Sequence, residues 1–195
     1  MPVAAASPEP VLPATADGGS LVPCRGSAPM PTVAFVGLGS NLADPVRQLQ
    51  RAMAAIGELP HTRILARSSL YCSAPVGALA RQPNYINAVV MVETTLRPDT
   101  LLAGLRAIER LHHRRRTAKN APRSLDLDLL IYGALNQHGR QLRVPHPRAH
   151  LRAFVLRPLV ELAPDVTIPG RGPARKYLPR TRMQRLRRLP ASYPR

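Results

Sequence analysis

The sequence predicts a single α+β domain built on an antiparallel sheet, and three observations carry that expectation. Segments with a two-residue apolar period alternate with segments of helical period in the order β-α-β-β-α-β. Hydrophobic residues make up 45% of the 195-residue chain while aromatics make up only 4%, so the core must be built mainly from Leu, Val, Ile and Ala. No apolar run approaches the ~18 residues that a membrane helix needs, which points to a soluble, cytoplasmic protein. Together these predict the ferredoxin-like pattern, with helices covering one face of the sheet and loops left free at its edges.

Each element has its own signal. Val33 to Leu38 is an apolar run ended by Gly39-Ser40-Asn41, which reads as a strand entering a turn. Asp44-Pro45 then supplies a cap and a first-turn proline. After it, Val46, Leu49, Met53 and Ile56 recur at helical spacing until Gly57. Two strands follow, around Ile64 to Tyr71 and Tyr85 to Thr94, and should pair as a hairpin. A second helix begins at Pro98-Asp99 with Leu101, Leu102, Leu105, Ile108 and Leu111 on one stripe, and a fourth strand runs from Leu125 to Ile131.

The tails read differently. Residues 1–31 hold seven prolines among Ala, Ser and Gly and carry a net charge of −1, so they predict a disordered extension in which Met30 is an alternative start. Residues 32–170 carry +9 and form the expected domain. Residues 171–195 carry another +9 from nine basic side chains and no acid, which predicts a disordered, dispensable tail with weak polyanion binding at most. Half of the excess positive charge in the total of +17 therefore lies outside the expected domain. The cysteines, Cys24 and Cys72, fit neither a disulfide framework nor a structural zinc site and are expected as free thiols.

The most informative chemistry lies at Asp126 and Asp128. On a strand, both carboxylates project from one face, while Leu125, Leu127, Leu129 and Ile131 project from the other. A half-exposed edge strand would show the same alternation. What favours a site is the run Arg114, Arg115, Arg116, Lys119 and Arg123 just before it. Two like charges need a neutralising partner, and Mg²⁺ with arginine is the combination that clamps polyphosphate. Neither a Gly-x-x-x-x-Gly-Lys-Ser/Thr loop nor the protein-kinase motif set is present, so the common nucleotide-handling folds are excluded. A basic RNA-binding module is the competing class, but no strand carries the stacking aromatics it needs, so no specific nucleic-acid partner is expected.

The segment Lys119-Asn120-Ala121-Pro122-Arg123-Ser124-Leu125-Asp126-Leu127-Asp128-Leu129-Leu130 resembles the signature of the 6-hydroxymethyl-7,8-dihydropterin pyrophosphokinase family of folate biosynthesis. Five further landmarks agree in order. They are Gly37-Leu38-Gly39-Ser40-Asn41-Leu42, Ser73-Ala74-Pro75-Val76-Gly77, Gln82-Pro83-Asn84-Tyr85-Ile86-Asn87-Ala88, Ile108-Glu109, and Val144-Pro145-His146-Pro147-Arg148.

The resemblance implies an ATP-dependent diphosphotransferase that moves the terminal pyrophosphate of ATP to the pterin hydroxymethyl oxygen and releases AMP. It implies two Mg²⁺ ions on Asp126 and Asp128, with Arg114 and Arg123 as further catalytic residues. Glu109, Arg116, Lys119, Leu129, His146 and Arg152 would bind ATP. Ser73, Ala74, Val76, Tyr85, Asn87 and Phe154 would bind the pterin. Without the resemblance, His146 reads as a turn histidine, Phe154 as core, Tyr85 as the start of a strand, and Glu109 as a surface residue paired with Arg106 or Arg110. The chain departs from the pattern at Lys119-Asn120-Ala121-Pro122-Arg123, where many members carry Arg-Trp-Gly-Pro-Arg, so a loop aromatic is absent and loop closure should differ.

Overall fold

The computed structural model describes residues 30–75, 82–112 and 122–190. Strand β1 (Thr32–Ser40) leads into helix α1 (Pro45–Gly57), followed by β2 (Thr62–Arg67), β3 (Tyr71–Ser73) and β4 (Tyr85–Thr94). Helix α2 (Pro98–Leu111) precedes β5 (Asp126–Tyr132) and the two-residue strands β6 (Gln137–His138) and β7 (Arg143–Val144). A third helix, α3 (Ala153–Leu162), is followed by β8 (Thr167–Ile168), β9 (Gly172–Pro173) and β10 (Leu186–Arg188). Short 3₁₀ segments span Ala149–Leu151 and Ala174–Thr181.

The main sheet is antiparallel and runs β10-β3-β4-β1-β5, with β2 also on β4. The expected helix starts hold. Asp44 caps α1 through a 3.3 Å bond from the Arg47 amide to its carboxylate, and Pro45 and Pro98 open α1 and α2. The single second strand expected from sequence is two strands, β2 and β3, both paired with β4. Between them the Ser68 hydroxyl accepts from the Val89 amide, and the Ser68 amide donates to the Val89 carbonyl, so the side chain stitches the break.

The expectation that helices cover one face is corrected. Helices α1 and α2 bury Leu49, Ile56, Leu101 and Leu105 against Val36, Val90 and Leu127 on one face. On the other face α3 packs Val155, Leu156 and Leu159 against Phe35, Val89 and Leu130. Both faces of the central strands are therefore apolar, which explains the nearly continuous hydrophobic run of β4.

One detail of β5 also differs from strict alternation. Val36 pairs with Leu129 but Phe35 pairs with Ile131, so Leu130 is an extra residue, a β-bulge. Leu127 and Leu129 keep to the α1–α2 face as expected, whereas Ile131 joins Leu130 in the α3 core. Asp126 and Asp128 lie before the bulge, so the two-residue period still holds for them.

The basic segment requires a larger correction. Residues 171–190 are folded, and the folded unit extends beyond the boundary expected at 170. Strand β10 pairs with β3, Leu189 is 4% exposed in the α1–α2 core, and Ala174 is buried against α3. The Gln184 side-chain carbonyl also accepts from the Ala153 amide at 2.8 Å, capping an N–H in the first turn of α3. Averaged composition hid this because a few apolar residues suffice to anchor a strand whose cations face solvent. The expected disorder of 1–31 falls almost wholly outside the described residues, as does Cys24; Cys72 is a free thiol, and Thr32 already belongs to β1.

Candidate active site

The site forms where β1, β4 and β5 present their ends to the start of α3. A cavity of about 280 Å³ is lined by Gly39, Tyr85, Asn87, Asp126, Asp128 and Phe154, with Ser73, Ala74, Gln82, Arg123, Arg148 and Arg152 around them. The register explains the convergence. Gly39 pairs with Asn87 on one side and with Asp126 on the other, and Gly37 pairs with Asp128. A Cβ on Gly39 would meet the Asn87 Oδ1 at 3.4 Å, and one on Gly37 would meet Leu130 Cδ1 at 3.2 Å. Small residues on β1 thus leave the neighbouring strands' side chains room over the sheet.

Among the described residues, three cationic or ionisable groups stand around the two carboxylates. The Arg123 guanidinium donates to Asp126 at 2.6 Å. Asp128 has His146 Nε2 at 3.8 Å and an Arg152 nitrogen at 3.9 Å. His146 is held beside β5 by its amide, which donates to the Leu130 carbonyl at 2.8 Å. Burial pushes its imidazole below the usual histidine value, against the pull of Asp128. Burial likewise lowers Arg152, aided by Arg148, and Arg152 lies 5.4 Å from the centre of the Phe154 ring.

The other end of the cavity suits a flat, polar ring. Tyr85 and Phe154 offer aromatic surface, and burial raises the Tyr85 hydroxyl above its ordinary value. Asn87 is 4% exposed, and its amide nitrogen donates to Ser73 Oγ at 3.0 Å and to the Tyr71 carbonyl at 3.3 Å. Those bonds fix the amide orientation with its oxygen toward Gly39. Ser73 therefore acts through Asn87 as well as lining the cavity.

Not every expected residue arrives here. Val76, Arg114, Arg116 and Lys119 lie outside the described residues. The Leu129 side chain is buried in the α1–α2 core and turned away from the cavity, because the two-residue period that exposes the aspartates hides it. Glu109 is not a surface residue, nor does it line the cavity. It is 4% exposed, and its carboxylate accepts from the Leu127 amide at 2.7 Å.

Sequence reasoning also missed positioning residues. Asn41, 2% exposed, accepts from the Arg123 amide at 2.7 Å and donates to the Pro83 carbonyl at 3.2 Å, while its own amide donates to the Arg123 carbonyl at 3.1 Å. It joins the end of β1 to the segments that lead into β4 and β5. Its place in Gly39-Ser40-Asn41 showed a turn but nothing of these distant partners. Arg148 and Gln82 were quoted within motifs, yet only the folded chain brings them to the cavity.

Among the described residues no group of three or more His, Cys, Asp and Glu could hold a metal ion. The donor set is thus a pair of carboxylates amid arginines, which fits a cation shared with a polyphosphate ligand and not a closed protein cage. Such a donor set, beside aromatic and amide groups, has the chemistry to hold a phosphate-bearing ligand through a shared cation.

Comparison with known proteins narrows the class. Residues 35–164 match the family 7,8-dihydro-6-hydroxymethylpterin-pyrophosphokinase (HPPK). The chain is 42% identical over 158 residues to the 2-amino-4-hydroxy-6-hydroxymethyldihydropteridine pyrophosphokinase of Pseudomonas aeruginosa, covering 81% of this chain and 97% of that protein. It is 43% identical over 137 residues to the Haemophilus influenzae protein of the same name, covering 70% and 85% respectively. A crystal structure of wild-type Plasmodium falciparum HPPK-DHPS shares the fold, with a TM-score of 0.58 at 15% identity over 80% of this chain and 43% of that one. The chain belongs to the HPPK family.

Proposed function

We infer that the chain transfers pyrophosphate from ATP to 6-hydroxymethyl-7,8-dihydropterin in folate biosynthesis, giving AMP and the pterin diphosphate. The observation that supports this beyond family membership is that one cavity has Tyr85, Asn87 and Phe154, suited to a pterin, beside Asp126 and Asp128 and the three arginines Arg123, Arg148 and Arg152, suited to a triphosphate. The substrate hydroxymethyl oxygen forms a bond to the β-phosphorus and gives up its proton to solvent, while the bond from that phosphorus to the oxygen it shares with the α-phosphorus breaks and that oxygen leaves on AMP. In our reading Tyr85 and Phe154 flank the pterin while Asn87 and Ser73 meet its polar edge. Arg123, Arg152 and His146 surround the phosphates, joined on the family's pattern by Arg114, Arg116 and Lys119 from earlier in the sequence.

Asp126 and Asp128 would hold Mg²⁺, two ions on the family's pattern. When bound, the metal neutralises triphosphate charge and orients its oxygens. The protein's own share is positioning: holding the two substrates together replaces an unfavourable encounter in solution by a fixed approach. The cationic side chains stand where negative charge accumulates on the departing AMP. We also read the split arrangement of β1, β2, β4 and β5 as ferredoxin-like, and ATP as co-substrate supports a cytoplasmic location. The test is AMP formation from ATP that requires both hydroxymethyldihydropterin and Mg²⁺. AMP formation indifferent to the pterin would overturn the reading.

A further inference from the structure

We propose that Glu109 is a positioning residue for the candidate metal ligands: its carboxylate fixes the Leu127 edge amide and thereby the relative aim of Asp126 and Asp128. The inference rests on the pyrophosphokinase reading for its consequence, but its structural core stands by itself.

Among the described residues strand β5 is the outer strand of the sheet, paired on one side only, with β1. Its far edge would carry unpaired amides, and that of Leu127 is buried, the residue being 3% exposed. A buried amide without an acceptor is costly, and no further described strand supplies one. Glu109, from the last turns of α2, reaches it at 2.7 Å and supplies the acceptor.

The position of this bond matters more than its strength. The Leu127 nitrogen belongs to the peptide unit joining Asp126 to Leu127. Pinning that plane constrains ψ of Asp126 and φ of Leu127, two of the torsions that relate the aspartate side chains. The register already ties Asp128 to Gly37 on β1. Glu109 therefore completes, from the opposite edge, the frame around the pair. A metal site tolerates little error in carboxylate placement, so support behind the ligands tunes affinity. Glu109 would then influence ATP through the aspartates and not by touching the nucleotide.

The experiment compares wild type with Glu109→Ala, Glu109→Gln and Glu109→Asp. Amide exchange of Leu127 is read by NMR in the ligand-free protein, and binding of Mn²⁺ with α,β-methylene ATP by electron paramagnetic resonance. In Glu109→Ala we expect Leu127 exchange to accelerate by roughly 10- to 100-fold and Mn²⁺ affinity to fall about tenfold. Glu109→Gln keeps an acceptor of equal reach and should retain most of both. Glu109→Asp keeps the charge but lacks the reach, so it should resemble alanine; it also serves if the alanine variant does not fold.

Unchanged Leu127 exchange in the alanine and aspartate variants would overturn the proposal. So would a glutamine variant that binds the analogue as poorly as alanine while its Leu127 amide stays protected, because that pattern marks direct nucleotide contact. Wild-type protein that makes no AMP would instead defeat the pyrophosphokinase reading and leave the exchange result standing.

Discussion

Arg123 and Asp126, three positions apart, hold each other at 2.6 Å at the mouth of the cavity. On the proposed function the same guanidinium would also meet phosphate oxygens with both prongs of its fork, bridging the carboxylate pair and the nucleotide. Arg123→Ala should weaken binding of α,β-methylene ATP with Mg²⁺ by about 10- to 100-fold, the scale of a lost charge-assisted contact. Arg123→Lys should recover only part, since an ammonium lacks the planar fork. Isothermal titration calorimetry reads both, and full recovery by lysine would refute the bidentate role.

Asp126→Ala and Asp128→Ala should each abolish AMP production. Each substitution relieves repulsion from the other carboxylate but also removes an ionic partner, of Arg123 for Asp126 and of Arg152 for Asp128, so the two effects oppose each other. Chemical denaturation should accordingly place each variant within about 1 kcal/mol of wild type. Turnover retained in either variant would remove the metal assignment.

Asn41 tests how far positioning reaches from the chemistry. Asn41→Asp preserves the acceptor for the Arg123 amide but cannot donate to the Pro83 carbonyl; Asn41→Ala loses both. Steady-state kinetics should show a larger fall in kcat/KM for alanine than for aspartate. Equal, wild-type values would mean that neither segment depends on this side chain.

Tyr71 and Glu161 give the fold a pH signature away from the cavity. Burial, then the 2.8 Å bond donated to Glu161, raises the Tyr71 hydroxyl to about 12. The unfolded chain loses this proton near 10, so the contribution is complete below pH 10 and disappears as pH rises toward 12. Burial by itself would raise Glu161, but bonds from Ser69 and Tyr71 together with Arg188 bring it below its ordinary value. Its contribution is complete above about pH 4.5 and is lost as pH falls through the lower folded value. Thermal melts should therefore decline at both ends. Tyr71→Phe should flatten the alkaline decline; an unaltered slope there would assign it elsewhere.

The folded basic segment makes truncation costly. Leu189→Ala should cost about 2–5 kcal/mol, the usual range for a buried leucine, as read by urea unfolding. Removal of residues 171–195 should cost more, because β3 loses β10 and the start of α3 loses the Gln184 cap. A truncated chain with unchanged stability would show that the composition argument was right after all.

Periodicity was enough to place β1, α1, β4, α2 and β5, because a chain that must bury one face repeats at the period of its backbone. The aspartate pair was legible for the same reason: alternation on a strand is a local property. The family motifs extended this to the cavity residues Ser73, Tyr85, Asn87 and Phe154. The third helix escaped notice because α3 is apolar through most of its length and contains Pro158, so its residues read as generic core.

Local pattern determined which residues share a face, and charge counting showed where cations concentrate. Only the assembled chain decided what meets each end of the sheet: Glu109 holds an amide of β5 at one end, β10 joins β3 at the other, and Gln184 caps α3. These are long-range hydrogen bonds whose partners lie 18 or more residues apart. No periodic signal in a short window encodes such a meeting, since it depends on where the whole sheet ends.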